Sequence, residues 1–372
     1  MENRKRVSIY VRNKDITPSS YYRIIQYAKN FEGDIKIRNI APTKLYKKHL
    51  NSAMTTKINR VILALLYYIC MLTRVTYYLL IDMKEKPNYI IVSKTFCPRY
   101  TPFFLSALIR KVTANSILYW DFDDYIFESG EISSKQASIL KENSKAIVVT
   151  SDFLKSKIND EYHDKVILLP TTDGDMQGFD KKALRDLRHS TFKDEIRLVW
   201  VATAGNIPHL MKIIKVLDEA AFKVKSKYHK KLILTVVCNQ PLDTQVKYLI
   251  INNIVWTRDR AKKEIYNSHI GIMPLIFKEY ALGKGGFKLV QYISTGLPVI
   301  ASKVGFNQEV VNQDCGVLVE DKNANDNWID AIMQIAANLD TWENYSDNAS
   351  KQWNEKFSYN NNLMVWNNLL NM

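Results

Sequence analysis

The sequence has only four cysteines in 372 residues (Cys70, Cys97, Cys238 and Cys315), and no two form a CxxC pair. Thiols so far apart argue against a disulfide framework and for reduced core residues of a cytoplasmic protein. The opening MENRKRVSIYV has too short an apolar stretch for a signal peptide, so export is not expected. No internal repeat or low-complexity tract is present, and no zinc-ligand spacing, RNP-like segment or helix-turn-helix pattern occurs, which removes nucleic acid as the expected partner. Acidic residues are scarce at one end. Residues 1–120 hold 21 Lys+Arg against 6 Asp+Glu, a balance of +15, while the whole chain is +14. The basic excess therefore lies in the first third, and a field of one sign implies an anionic partner, either a membrane surface or a phosphorylated acceptor.

What is there is an ordinary globular composition, 47% hydrophobic and 24% charged, at a length that predicts two domains. The chain is organised around residues 270–302, IGIMPLIFKEYALGKGGFKLVQYISTGLPVIAS. The segment reads as strand, glycine-rich turn (LGKGG, 282–286), short helix and strand. Gly296 stands where a left-handed helix cap belongs, and Pro298 opens the last strand, where no ladder donor is lost. A glycine-rich turn feeding a helix offers free backbone N–H groups, and Lys284 and Lys288 add full charges. This is the chemistry of a phosphate or pyrophosphate site.

Before it, apolar runs of strand length at 6–11, 34–40, 88–93, 116–120, 146–150 and 166–170 alternate with helical patterns. After it and around it, a second series follows at 196–202, 232–237, 254–256, 270–274, 298–302 and 317–319. Alternation of this kind predicts two mostly parallel sheets covered on both faces. Residues 171–193, rich in Asp, Gly, Lys and Arg, read as a connector. The loop DITPSS and the helix from Ser20 place Ser19 or Ser20 as a cap and Arg23 within the first turns, at the sheet edge where ligands bind. TAGNIP, containing Gly205 and Asn206, is a second turn whose N–H groups can meet a ligand. Residues 61–81 form a 21-residue apolar run carrying one charge, Arg74. Length allows a membrane span, but seven polar or tyrosine positions, Arg74 among them, favour a helix buried in the core or docked at an interface.

WDFDD places Asp121, Asp123 and Asp124 just after a strand. A D-x-D can hold Mg²⁺ or Mn²⁺ on a diphosphate, but the cationic turn near residue 285 makes a metal unnecessary. No metal and no cofactor are expected. Asp123 and Asp124 are read as orienting hydroxyls or acting as a base.

The succession GIMPL, GKGGFKLVQYISTGLPVIAS, then Gly305, Asn307 and Glu309, then DCGVLV resembles the nucleotide-binding half of family 4 glycosyltransferases, in particular a bacterial subgroup that builds capsular and envelope polysaccharides. PSSYYRIIQYAKNFEG is similar to the start of the acceptor-side domain in that subgroup. The resemblance implies an α/β GT-B fold, two Rossmann-like domains facing each other across a cleft. Residues 1–172 are then acceptor-side, 173–193 connecting and 194–351 donor-binding, with a C-terminal helix near 352–372 packing back on the first domain. It implies a retaining, metal-independent transferase that takes a nucleotide-diphosphate sugar and extends a lipid-linked saccharide, peripheral on the cytoplasmic face of an anionic membrane.

Lys284 and Lys288, with the N–H groups of Gly283, Gly285 and Gly286, suit the leaving diphosphate. Arg258 and Gln291 suit the nucleotide, Gly305, Asn307 and Glu309 the phosphates or sugar, and Ser19, Ser20 and Arg23 the acceptor. Two departures stand out. Many family members carry glutamates where Gly283 and Gln291 stand here, and TAGNIPHL lacks the usual Arg/Lys pair. They keep two alternatives open: a non-catalytic nucleotide-sugar-binding partner, and a sugar-nucleotide epimerase of the same fold.

Overall fold

The computed structural model describes residues 4–50, 56–320 and 324–371. The chain divides into two compact units, residues 1–171 with 360–372, and residues 172–359. Each is built on a six-stranded parallel sheet.

In the first unit the strands are β1 (Arg6–Val11), β2 (Asp34–Asn39), β3 (Tyr89–Ser93), β4 (Ile117–Phe122), β5 (Ser144–Val149) and β6 (Val166–Leu168), in the order β2-β1-β3-β4-β5-β6. Central β3 is buried along its whole length, the pattern of a parallel strand with both faces covered. The Lys57–Glu85 helix follows β2, and its Tyr67, Met71, Val75 and Leu79 pack into the same core as Tyr10, Ile90 and Trp120. Asp82 on this helix is buried, and it accepts hydrogen bonds from Ser8 Oγ (3.0 Å) and Tyr10 Oη (2.6 Å) and pairs with Arg38. Arg74 Nη2 donates to the carbonyl of Asn39 at 2.9 Å. Arg74, within the apolar run, and Asp82, just after it, thus both face the protein.

The second unit orders β7 (Glu195–Val201), β8 (Lys231–Cys238), β9 (Ile250–Val255), β10 (Ile270–Met273), β11 (Val299–Ser302) and β12 (Gly316–Val319) as β12-β11-β10-β7-β8-β9. Gly271 is a packing requirement. A Cβ there would stand 2.3 Å from the Tyr292 ring, whose hydroxyl accepts from Val201 N at 2.9 Å and so ties the helix of the glycine turn to β7.

Two boundaries differ from the sequence reading. Residues 173–193 are not a plain connector, because Lys181–Phe192 is a helix of the second unit, capped by Asp180. Its few apolar residues suffice because Arg188, 2% exposed, donates to the backbone carbonyls of Thr295, Ile265 and Tyr266. The C-terminal helix is broken as well. Leu339–Lys356 belongs to the second unit, and the chain joins the first unit only from residue 360. There Asn362 Nδ2 donates to Pro170 O at 2.6 Å, and Trp366 Nε1 to Arg23 O at 3.2 Å.

Candidate active site

In the second unit three turns gather at the C-terminal edge of the sheet, where ligands of open α/β sheets bind. The turn after β10 carries LGKGG. Gly286 has φ +57°, and a Cβ there would meet Phe306 Cδ1 at 3.0 Å. Gly305, φ +53°, leaves no room for a Cβ beside the Leu282 carbonyl, 2.7 Å away. The glycine turn and the loop after β11 therefore lie directly against each other. Gly296 has the expected left-handed conformation, φ +65°. The turn after β7 joins them through Asn206, whose Oδ1 accepts from Lys284 Nζ at 2.5 Å. Gly205 beside it is exposed.

The field here is positive. His209, in the helix after TAGNI, accepts from Ile276 N through Nδ1 at 2.9 Å. Its pKa is pushed down to about 4 by burial and then by Lys284 and Lys278. Burial does most to keep this histidine neutral, and the two ammonium groups beside it add a positive field that favours an anion. Burial likewise lowers Lys288 to about 8, with Asp173 opposing. Asn307 is 1% exposed; its Nδ2 donates to Ser302 O at 2.9 Å, and its Oδ1 has no partner among the described residues. That oxygen lies 3.8 Å from where a Cβ on Gly286 would stand.

Other expected donor residues are placed differently. Gln291 is 4% exposed, and its amide is already engaged, accepting from Lys288 Nζ at 2.8 Å and donating to Asp173 at 2.5 Å. Its expected hold on a nucleotide is not open in this arrangement. Arg258, expected to hold the nucleotide, is the first residue of the Arg258–Tyr266 helix and stands 3.7 Å from Asp175 Oδ2. Glu309 is exposed, and its carbonyl accepts from Gln352 Nε2 at 3.5 Å. Asp173 and His209 were missed by the sequence reading. Asp173 lay in the presumed connector, and a lone histidine in TAGNIPHL carries no pattern.

In the first unit a cavity of about 330 Å³ is lined by Arg12, Ser19, Ser20, Lys94, Asp123, Asp124 and Glu131, among others. The helix begins at Pro18, behind Thr17, and neither serine caps it. Asn13 builds the entry turn instead, accepting from Asp15 N and Ile16 N. Ser20 Oγ is buried without a partner among the described residues. Lys94 Nζ pairs with Asp124 and stands 3.1 Å from Asp123 Oδ1. Although burial works against its charge, these carboxylates and Glu131 hold its pKa well above the usual value. Burial pushes Asp123 up to about 6, and Lys94 opposes this.

Arg23 is the clear correction. It is 2% exposed, its Nε donates to Asp121 at 3.0 Å and its Nη1 to Leu169 O at 2.5 Å, so it braces the core and does not reach an acceptor. Among the described residues no three His, Cys, Asp or Glu side chains converge as a metal-binding group. Within WDFDD each carboxylate already faces a protein cation.

Residues 199–338 match the sequence profile of a family described as Glycosyl transferases group 1. No curated protein matches the sequence significantly. Among solved structures the chain is similar to a glycosyltransferase from Rickettsia africae (TM-score 0.60, 16% identity, 99% of each chain covered). It is also similar to sucrose-phosphate synthase from Thermosynechococcus elongatus (TM-score 0.61, 12% identity, 99% of this chain and 98% of the other). A third is Anabaena HepE in complex with UDP and glucose (TM-score 0.59, 9% identity, 99% of each chain). Residues 199–338 thus match the group 1 glycosyl transferase model, and the two Rossmann-like units, each on a six-stranded parallel sheet, have the GT-B fold.

Proposed function

We propose that the protein moves a sugar from a nucleoside-diphosphate donor onto a lipid-linked or envelope polysaccharide acceptor. In this reading it acts without a metal, with retention at the anomeric carbon, at the cytoplasmic face of the membrane, like the family 4 subgroup its sequence resembles. The observation that carries the reading is the cationic cluster of Lys284 and Lys288, set between three backbone turns inside the matched segment.

Transfer breaks the bond between the sugar's anomeric carbon and the diphosphate oxygen, and the diphosphate leaves with the electron pair. Lys284 and Lys288 stabilise that charge, and the turns' N–H groups add donors that need no reorganisation. Asn307 Oδ1, buried and without a partner among the described residues, suits a sugar hydroxyl. The acceptor oxygen forms the new bond and gives up its proton to a carboxylate. Asp123, with its pKa near 6, lies close enough to neutrality to serve. Ser19 and Ser20 offer hydroxyls to the acceptor in the same cavity. The similar structure that holds UDP and glucose supports a diphosphate donor.

A thermal-shift panel of UDP, GDP, dTDP and CMP sugars tests the donor site, and radiolabelled donor with membrane extract tests transfer. A rise in Tm with one diphosphate sugar and label in the lipid fraction are expected. Because Gln291 stands where a glutamate is usual and is internally engaged, a second reading is a non-catalytic nucleotide-sugar-binding partner. Binding without turnover in any acceptor would establish it.

A further inference from the structure

The Lys57–Glu85 helix turns an apolar face outward. Ile58, Val61, Ile62, Leu65, Leu66 and Ile69 are 46–73% exposed, at three- and four-residue spacings that place them on one face. Tyr77 and Leu80 extend the stripe. It is the reverse of a solvated helix, since Arg74 and Asp82 point inward. One flank of the stripe is aromatic. Tyr68 Oη donates to Tyr100 O at 2.8 Å, which brings up Tyr100 (65% exposed) and Phe103 (77%), and Lys135 Nζ lies 4.5 Å from the Phe103 ring centre. The other flank is basic. Tyr67 stacks on His49 at 4.3 Å and Tyr46 at 5.7 Å, and this holds the Thr43–Leu50 helix alongside with Lys44, Lys47 and Lys48 exposed.

We propose that this face docks the first unit on an anionic lipid bilayer. Ile58, Ile62, Leu65 and Ile69 enter the boundary between headgroups and acyl chains, and Lys44, Lys47 and Lys48 lie among anionic headgroups. The helix is long and apolar enough to cross a membrane. A crossing would, however, strip Asp82 from Ser8, Tyr10 and Arg38 and leave two ionic groups in hydrocarbon. A second copy of this chain fits poorly. A two-fold contact would set the lysine-bearing flanks, each part of a region of balance +15, against each other. An apolar stripe between cations and exposed aromatic rings matches the layered chemistry of a bilayer surface. The proposal deepens the reading of a lipid-linked acceptor, yet docking is measured without donor or acceptor, so the two fail separately.

The test is sedimentation of the full chain with vesicles of phosphatidylcholine alone or mixed with phosphatidylglycerol, at low and high salt. Two variants are compared, Ile62→Glu/Leu66→Glu/Ile69→Glu and Lys44→Ala/Lys47→Ala/Lys48→Ala, with Tm confirming their folds. The wild type should prefer the anionic vesicles and keep a salt-resistant fraction. The glutamate variant should lose binding at every salt concentration. The alanine variant should bind anionic vesicles on the order of a hundredfold more weakly at low salt, since each lysine contributes roughly fivefold. Wild-type indifference to vesicles, or equal binding by the glutamate variant, overturns the proposal. A dimer that the glutamate substitutions dissociate, without vesicle binding, would instead assign the face to self-association. A need for detergent at every salt concentration would assign it to a span.

Discussion

Gln291 donates its side-chain Nε2 to Asp173 Oδ2 at 2.5 Å, with both residues almost wholly buried. The same amide accepts from Lys288 at 2.8 Å, so ammonium, amide and carboxylate form one relay. A buried carboxylate thus stands beside the Gln291 amide. Asp173 raises the pKa of Lys288 and opposes its burial.

The relay predicts a pH signature. Lys288 has a pKa near 8, so turnover that needs its charge should fall as pH rises through about 8. Lys288→Arg should move that limb to higher pH, and Asp173→Asn to lower pH. The stability effect has the opposite sign. The folded pKa lies below the unfolded value, about 10.4, so between the two the unfolded chain binds more protons and Lys288 favours the fold increasingly as pH rises. Parallel pH–rate and pH–Tm measurements check this. A rate that falls only where Tm collapses would mean denaturation and not loss of the ammonium.

Lys284→Ala and Lys288→Ala should each lower turnover by roughly 10²–10³, the usual cost of about 2.7–4 kcal/mol for losing one donor to a developing anion. Lys284 also holds Asn206, so its removal should weaken donor binding in addition. Steady-state kinetics of the single and double variants decide the matter, and wild-type rates in the double variant would remove the phosphate assignment.

Much of this was legible from residue pattern. Parallel strands buried on both faces announce themselves as unbroken apolar runs, as Tyr89–Ser93 does, and the glycines at 286, 296 and 305 mark turns that the backbone does adopt. Partnership between distant polar residues was not legible. Whether Arg23 faces a ligand or Asp121 depends on a separation of 98 positions, and Gln291 meets Asp173 across 118. Helix Lys181–Phe192 escaped notice because its buried anchor is an arginine satisfied by carbonyls, which reads as surface charge. Residues 61–81 could be read as core or interface because the helix is buried on one face and bare on the other.

Chelation should leave turnover unchanged, since protein ammonium groups supply the positive charge at the turn. Asp123 and Asp124 already share Lys94, and a divalent ion there would have to displace it. Assays with EDTA, then with added Mn²⁺ or Mg²⁺, check this. Loss with EDTA and recovery with Mn²⁺ would make the aspartates a metal site.

The correction at Arg23 carries its own test. Its guanidinium pairs with Asp121, both side chains 1% exposed, and also holds Leu169 O and Thr171 Oγ1. Removing one partner of a buried pair leaves the other charge without compensation, typically a loss of about 3–5 kcal/mol. Arg23→Ala should therefore lower the denaturation midpoint sharply. Replacing both partners, as Arg23→Met with Asp121→Leu, should recover much of that loss, because no isolated charge then remains. If Arg23 bound the acceptor, the double variant would stay folded yet show a raised acceptor KM. With Arg23 as a core brace, the refolded double variant should keep a near-normal acceptor KM. Denaturant titration beside acceptor kinetics on the same three variants separates the two outcomes, and a stable Arg23→Ala protein with only its acceptor KM changed would restore the arginine to the binding site.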